Sequence, residues 1–180
     1  MKQHLLIIAT LIACLLPAVN FAESSQSIGV TSATNELTHI GTDKGFGAQL
    51  WIIEDQAFFK NWNKPSKGVR LPNVNRAKRG VPVFAIILFA GPGANEKNLC
   101  DVSYYLLITT PDGKKYGETL DGDCWKNLPP PAAGQIQLSS SYVGTRIEDK
   151  YPSGRYIVKA IVYDRVKDAK VELTQYFDVD

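Results

Sequence analysis

Arg155-Tyr156-Ile157-Val158-Lys159-Ala160-Ile161-Val162 is the stretch on which the fold reading turns. Tyr156, Val158, Ala160 and Val162 fall on one side of a period of two, and Arg155, Ile157, Lys159 and Ile161 on the other. Strict alternation over eight residues describes a strand with one buried face. A turn at Asp164–Lys167 leads into a second alternating run, with Val171, Leu173 and Phe177 opposed by Lys170, Glu172, Thr174, Tyr176 and Asp178. Two such runs joined by a short polar turn predict a hairpin that closes the chain.

Working back toward the N-terminus, the same period recurs. Val102, Tyr104, Leu106 and Ile108 line one face of Asp101–Thr110, and Pro111-Asp112-Gly113 supplies a turn into a short returning strand at Lys114–Thr119. Asp121 to Gly134 reads as loop, stiffened at Pro129-Pro130-Pro131. Gln135–Leu138 and Tyr142–Glu148 read as strand pieces. Val81–Ala90 is apolar throughout but spans only ten residues, which suits a buried strand. Phe46, Ala48, Leu50 and Ile52 alternate with Gly47, Gln49 and Trp51, and Asp55 is placed to cap a short helical turn carrying Phe58, Phe59 and Trp62. The sum is an all-β chain: an antiparallel β-sandwich of about seven strands, immunoglobulin-like, with at most one short helix.

Residues 1–22 read as a secretory signal, with Lys2, an apolar run from Leu5 to Leu16, and small residues ending at Ala22. The run is shorter than the roughly 20 residues a bilayer needs. Leu11-Ile12-Ala13-Cys14 also resembles a lipobox, so anchoring through an acylated Cys14 is the minor alternative. Residues 23–45 are polar and weakly patterned and read as a flexible lead or a poorly defined first strand, leaving 46–180 as the sandwich domain. The expected location is the periplasm or the cell exterior. No segment after residue 22 reads as a transmembrane span. Cys100 and Cys124 are then an even pair in an oxidising compartment, and a bridge between them would stabilise the fold by about 3.5 kcal/mol.

Pro152-Ser153-Gly154-Arg155-Tyr156 resembles the tyrosine-corner region of immunoglobulin and fibronectin III domains. That resemblance implies that Tyr156 bonds back to upstream backbone. Trp51-Ile52-Ile53-Glu54-Asp55, Phe89-Ala90-Gly91, Asp101-Val102 and the closing Arg155–Val179 hairpin are similar to those of a group of exported proteobacterial proteins of unknown function. The resemblance implies no activity and no site residue.

No catalytic or cofactor motif stands out. His39 is the one histidine beyond residue 22, and no G-x-S-x-G elbow is present. Glu54-Asp55, Asp121/Asp123 and Glu148-Asp149 are the carboxylate pairs a hydrolase could use. Asp121-Gly122-Asp123 has only part of a calcium loop, and soft metal ligands are scarce. The formal net charge of +2 argues against a general nucleic-acid binder. One basic run is unusual. Lys60, Lys64, Lys67, Arg70, Arg76, Lys78 and Arg79 share a connection free of acidic residues, with Trp62 at its start. Such a loop could hold an anionic envelope component, or its charges could simply be solvated while Phe58, Phe59 and Trp62 plug one end of the sandwich. The reading is a non-catalytic binding or interaction domain without cofactor or metal, its partner a protein or an anionic envelope component. One alternative is an accessory subunit of an envelope secretion or pilus assembly, pairing through an edge strand at Val171–Val179. A second is a carboxylate-dependent hydrolase.

Overall fold

Alternation along Phe46–Ile53 buries Phe46, Ala48, Leu50 and Ile52 on one face, and the same kind of inward face recurs along Asp101–Thr109, Gly154–Asp164 and Ala169–Val179. The computed structural model describes residues 38–62 and 71–180, which fall within one compact unit, Asn35–Asp180. The signal segment and Cys14 lie outside the described residues. Among the described residues there are ten strands and one helix: β1 (Ile40–Asp43), β2 (Phe46–Ile53), α1 (Ala57–Trp62), β3 (Arg76–Ala77), β4 (Val83–Ala90), β5 (Asp101–Thr109), β6 (Lys115–Lys126), β7 (Gln137–Leu138), β8 (Val143–Thr145), β9 (Gly154–Asp164) and β10 (Ala169–Val179).

They form two sheets. The first has the order β1-β2-β4, with β7 and β8 both pairing the far side of β4 as one interrupted strand. The second has the order β3-β10-β9-β5-β6. Counting β7 and β8 as one, the sandwich has seven main positions, with β1 and β3 as short additions. All pairs are antiparallel except β3 with β10. The arrangement is an immunoglobulin-like β-sandwich. Its core is the set of inward residues from both sheets, including Phe46, Leu50, Ile87, Phe89, Leu106, Tyr156, Val158 and Phe177.

The tyrosine corner forms as the resemblance implied. Tyr156 is fully buried, stacks on Phe177 with ring centroids 5.4 Å apart, and donates its hydroxyl to the Pro152 carbonyl at 2.8 Å. Asp164, fully buried at the end of β9, accepts backbone N–H bonds from Gly93, Val166 and Lys167. These bonds satisfy a carboxylate that would otherwise be costly inside the fold.

β4 is buried on both faces for an identifiable reason. Val83, Ala85, Ile87 and Phe89 join the main core, while Phe84, Ile86 and Leu88 form a second cluster with Ile53 and Phe58. Trp51, Phe59 and Trp62 pack against it. α1 therefore lies over the outer face of the first sheet and does not plug an end of the sandwich. Asp55 caps α1, accepting from the Ala57 N–H at 2.7 Å.

Several expectations are corrected. Residues 40–43, in the segment read as a flexible lead or a poorly defined first strand, form β1, so the ordered sandwich begins before residue 46. Asp121 to Lys126, read as loop, belongs to the twelve-residue β6. The last strand is not a free edge. β10 pairs β9 along its length and β3 at Asp178 and Val179. Two further donors on that side are also used: Thr174 N–H bonds Thr38 O at 2.9 Å, and Lys170 N–H bonds the Asp43 carboxylate at 2.9 Å.

Cys100 and Cys124 are buried free thiols, and the expected disulfide is not formed. The register explains it. Asp101 pairs Lys126 and Val102 pairs Trp125, so Cys124 falls in the irregularity opposite Val102 and Ser103, between two and three residues along from Cys100. That offset is about 8 Å along the strands and about 4.8 Å across them. A disulfide needs Cα atoms within about 7 Å. Burial pushes both thiols up from their ordinary pKa, with the Asp164 carboxylate adding to the rise at Cys100 and Asp123 at Cys124.

Candidate functional site

The two outer faces differ in their cover. On the first sheet, the outward apolar residues are roofed by α1. On the second, the outward residues of β5 and β9 include Tyr105, Leu107, Ile157, Ile161 and Tyr163, and no described element covers them. Tyr105 is 45% exposed and meets Tyr163 edge-on, with ring centroids 6.0 Å apart. Register sets the neighbours: Tyr105 lies across from Ile161, which lies across from Glu172, while Leu107, Lys159 and Thr174 form the next row.

A depression of about 360 Å³ sits at this place, lined by Tyr105, Leu107, Thr119, Lys159, Ile161 and Glu172 among others. A bulge in β6 opens it. Leu106 pairs Leu120 and Ile108 pairs Tyr116, so residues 117–119 loop outward opposite Leu107 alone. Gly117 allows the excursion, with φ of 69°. Leu107 is thus left without a register partner on β6. Charges rim the face in pairs: Arg155 with Asp178 through two bonds of 2.9 and 3.1 Å, Lys170 with Glu172, and Lys126 with Asp123 at 3.4 Å. The Arg155 guanidinium also stacks 3.9 Å above the Tyr176 ring.

A second concavity, about 580 Å³, opens along the seam between β6 and β8. The seam is tied at one end by Ser140 N–H to Cys124 O at 2.7 Å and at the other by the Tyr116 hydroxyl to Arg146 O at 2.7 Å. Leu120, Asp121, Gly122, Tyr104, Ser141, Tyr142 and Val143 line it. Tyr142 stacks on Phe59 with centroids 4.0 Å apart, so the seam abuts the α1 layer.

The carboxylates weighed in the sequence are scattered over the fold. Glu54 and Asp55 follow β2 at the start of α1, Asp121 and Asp123 stand on β6, and Glu148 pairs Lys150 in the loop before β9. Asp121-Gly122-Asp123 is strand, and no cluster of three metal-type ligands occurs among the described residues. His39 lies edge-on to Trp51 at 5.0 Å.

The basic connection does not act as one group in the described part. Lys64, Lys67 and Arg70 lie outside the described residues. Lys60 is exposed on α1, and Trp62 is a packing residue with its ring 5.4 Å from Phe58. Arg76 stands on β3 with its guanidinium 3.9 Å from Asp180, and Lys78 is exposed. Arg79 turns inward, donating to the carbonyls of Tyr151 at 2.8 Å and Glu148 at 3.1 Å and to the Ser153 hydroxyl at 2.7 Å. The sequence carried one sign of the uncovered face, the alternation that turns Tyr105, Leu107 and Ile161 outward. It carried none of the covering relationship.

No helix among the described residues is long and apolar enough to cross a membrane. No family model matches the chain, and no curated protein matches it in sequence. Solved structures with some likeness include a family 123 glycoside hydrolase from Clostridium perfringens, at TM-score 0.41 and 10% identity, covering 75% of this chain and 27% of that one. The chain therefore spans about a quarter of that hydrolase's length. A Niemann-Pick type C2 protein from the Japanese carpenter ant is similar at TM-score 0.39 and 10% identity over 81% of this chain and 94% of that one. An immunoglobulin-like protein from Pseudomonas aeruginosa is similar at TM-score 0.33 and 13% identity over 79% and 96%.

Proposed function

We propose that this sandwich is a non-catalytic binding domain, exported from the cell, that engages a protein partner through the outer face of its second sheet. One observation carries the reading: the outward apolar residues of the first sheet are roofed by α1, and no described element covers those of the second. Tyr105, Leu107, Ile161 and Tyr163 sit together inside a ring of paired charges, which is the apolar centre and polar rim of a protein interface. Two tyrosines at the centre supply large contact area with little rotamer entropy to lose. The scattered carboxylates support the non-catalytic part, and the segment 1–22 supports export.

Photo-crosslinking in cells tests it. A crosslinking residue placed at Leu107 or Ile161 should give one stoichiometric protein adduct, and one placed at exposed Glu96 should give none. Adducts arising only from Glu96, or from α1, would overturn the assignment of the face. Sequencing the N-terminus of the exported protein should show cleavage after Ala22.

A further inference from the structure

Lys159 stands in the depression between Leu107 and Thr174, one row from the Tyr105–Ile161 pair. It is exposed, and no described carboxylate lies within ion-pair distance of it. The neighbouring charges are already matched: Glu172 with Lys170, Asp178 with Arg155, Asp123 with Lys126, and Asp101 4.0 Å from Arg165. Asp121 lies beyond Tyr105 and lines the seam, not the depression. The centre of the proposed docking face therefore holds one exposed ammonium with no ion pair of its own, which shares only the field of the Glu172 carboxylate that Lys170 already bonds.

A partner covering Tyr105, Leu107 and Ile161 takes that ammonium out of water. An ammonium desolvated without a counter-charge is strongly unfavourable, whereas one meeting a carboxylate gains a charge-assisted bond. Electrostatic complementarity of this kind sets which partner is accepted. We infer that the partner presents a carboxylate to Lys159 directly beside an apolar side chain that fills the depression over Leu107 and Ile161. This rests on the docking reading above, and its test separates the two.

A random dodecapeptide phage library, selected on the purified protein, is the probe. Wild type should enrich peptides with Asp or Glu next to Leu, Ile, Phe, Tyr or Trp. K159E should reverse the preference to Lys or Arg, and K159M should lose the charge bias and weaken the acidic peptides about tenfold. T174E, which sets a carboxylate beside Lys159 within the chain, should also abolish the acidic preference without touching Lys159. Wild-type peptides lacking acidic bias, or the same acidic peptides from K159E, would overturn the inference while leaving the docking face standing. Unchanged selection by L107D, with its thermal unfolding as in wild type, would overturn the docking face itself. Self-association in sedimentation that L107D removes would identify a second copy as the occupant and overturn the inference of a distinct partner.

Discussion

The hydroxyl of Tyr156 reaches back four residues and donates to the carbonyl of Pro152 at 2.8 Å, while its ring lies parallel to Phe177 at 5.4 Å. One side chain thus joins the start of β9 to the loop before it and to the neighbouring strand. Tyr156→Phe keeps the ring stacking and removes only the bond. It should lower stability by about 1 kcal/mol, read as a lower urea midpoint with an unchanged slope. A slope change would mean that the substitution loosened the core as well.

Arg79 holds the same loop from the other side. Its three acceptors belong to Glu148, Tyr151 and Ser153. Arg79→Ala should cost about 1–3 kcal/mol, and Arg79→Lys should recover only part of it, because an ammonium cannot reproduce the guanidinium fork. Urea unfolding of both variants measures the difference.

A test of the basic connection must therefore spare Arg79. The double variant R76E/K78E changes two exposed charges. If the connection holds an anionic partner, its binding to heparin should weaken and lose salt dependence while the unfolding midpoint stays near that of wild type. Unaltered heparin binding would remove Arg76 and Lys78 from any anion site.

Lys114 and Thr110 hold the Asp112 carboxylate down to about 2, against an ordinary value of 3.8. Asp178, beside Arg155, is shifted the same way. A depressed folded-state value favours the fold above the ordinary carboxylate range, and the contribution disappears as the pH falls from about 4 toward 2. The Asp112 carboxyl carbon should titrate near 2 by NMR, and Lys114→Met should move it upward. A midpoint in the ordinary range in wild type would contradict the bonded geometry.

Both internal thiols should resist alkylation in the native protein at pH 8 and react once the chain is unfolded, since they are buried and raised in pKa. Mass mapping of the peptides containing Cys100 and Cys124 reads this directly. A peptide pair joined and two hydrogens lighter would show a bridge and a register shifted from the one described here.

Strands with one buried face were legible because alternation reports burial directly. β2, β5, β9 and β10 each carry it, and their inward residues build the core. β6 was cut short in the reading. Its outer half is an edge with Glu118, Asp121 and Asp123 exposed and Gly117 bulged, so its residues do not alternate by polarity. β1 and β3 are brief, and what makes β3 a strand is a partner about a hundred positions away at Asp178. The site was half legible for a related reason. Phe84 and Tyr105 both point outward from their sheets, yet one lies under α1 and the other under no described element. That difference is tertiary. Charge counting misled in the same way at Arg79, where a cation belongs to a backbone anchor and not to a surface field.

The excursion at residues 117–119 has a consequence for crowded solutions. β6 is the long outermost strand of its sheet, and such strands template fibre growth by accepting an identical neighbour in register. Here the ladder is interrupted between Tyr116 and Leu120, where the backbone turns aside opposite Leu107. A bend there stops an identical strand from pairing along the whole edge, and straightening it should favour polymerisation.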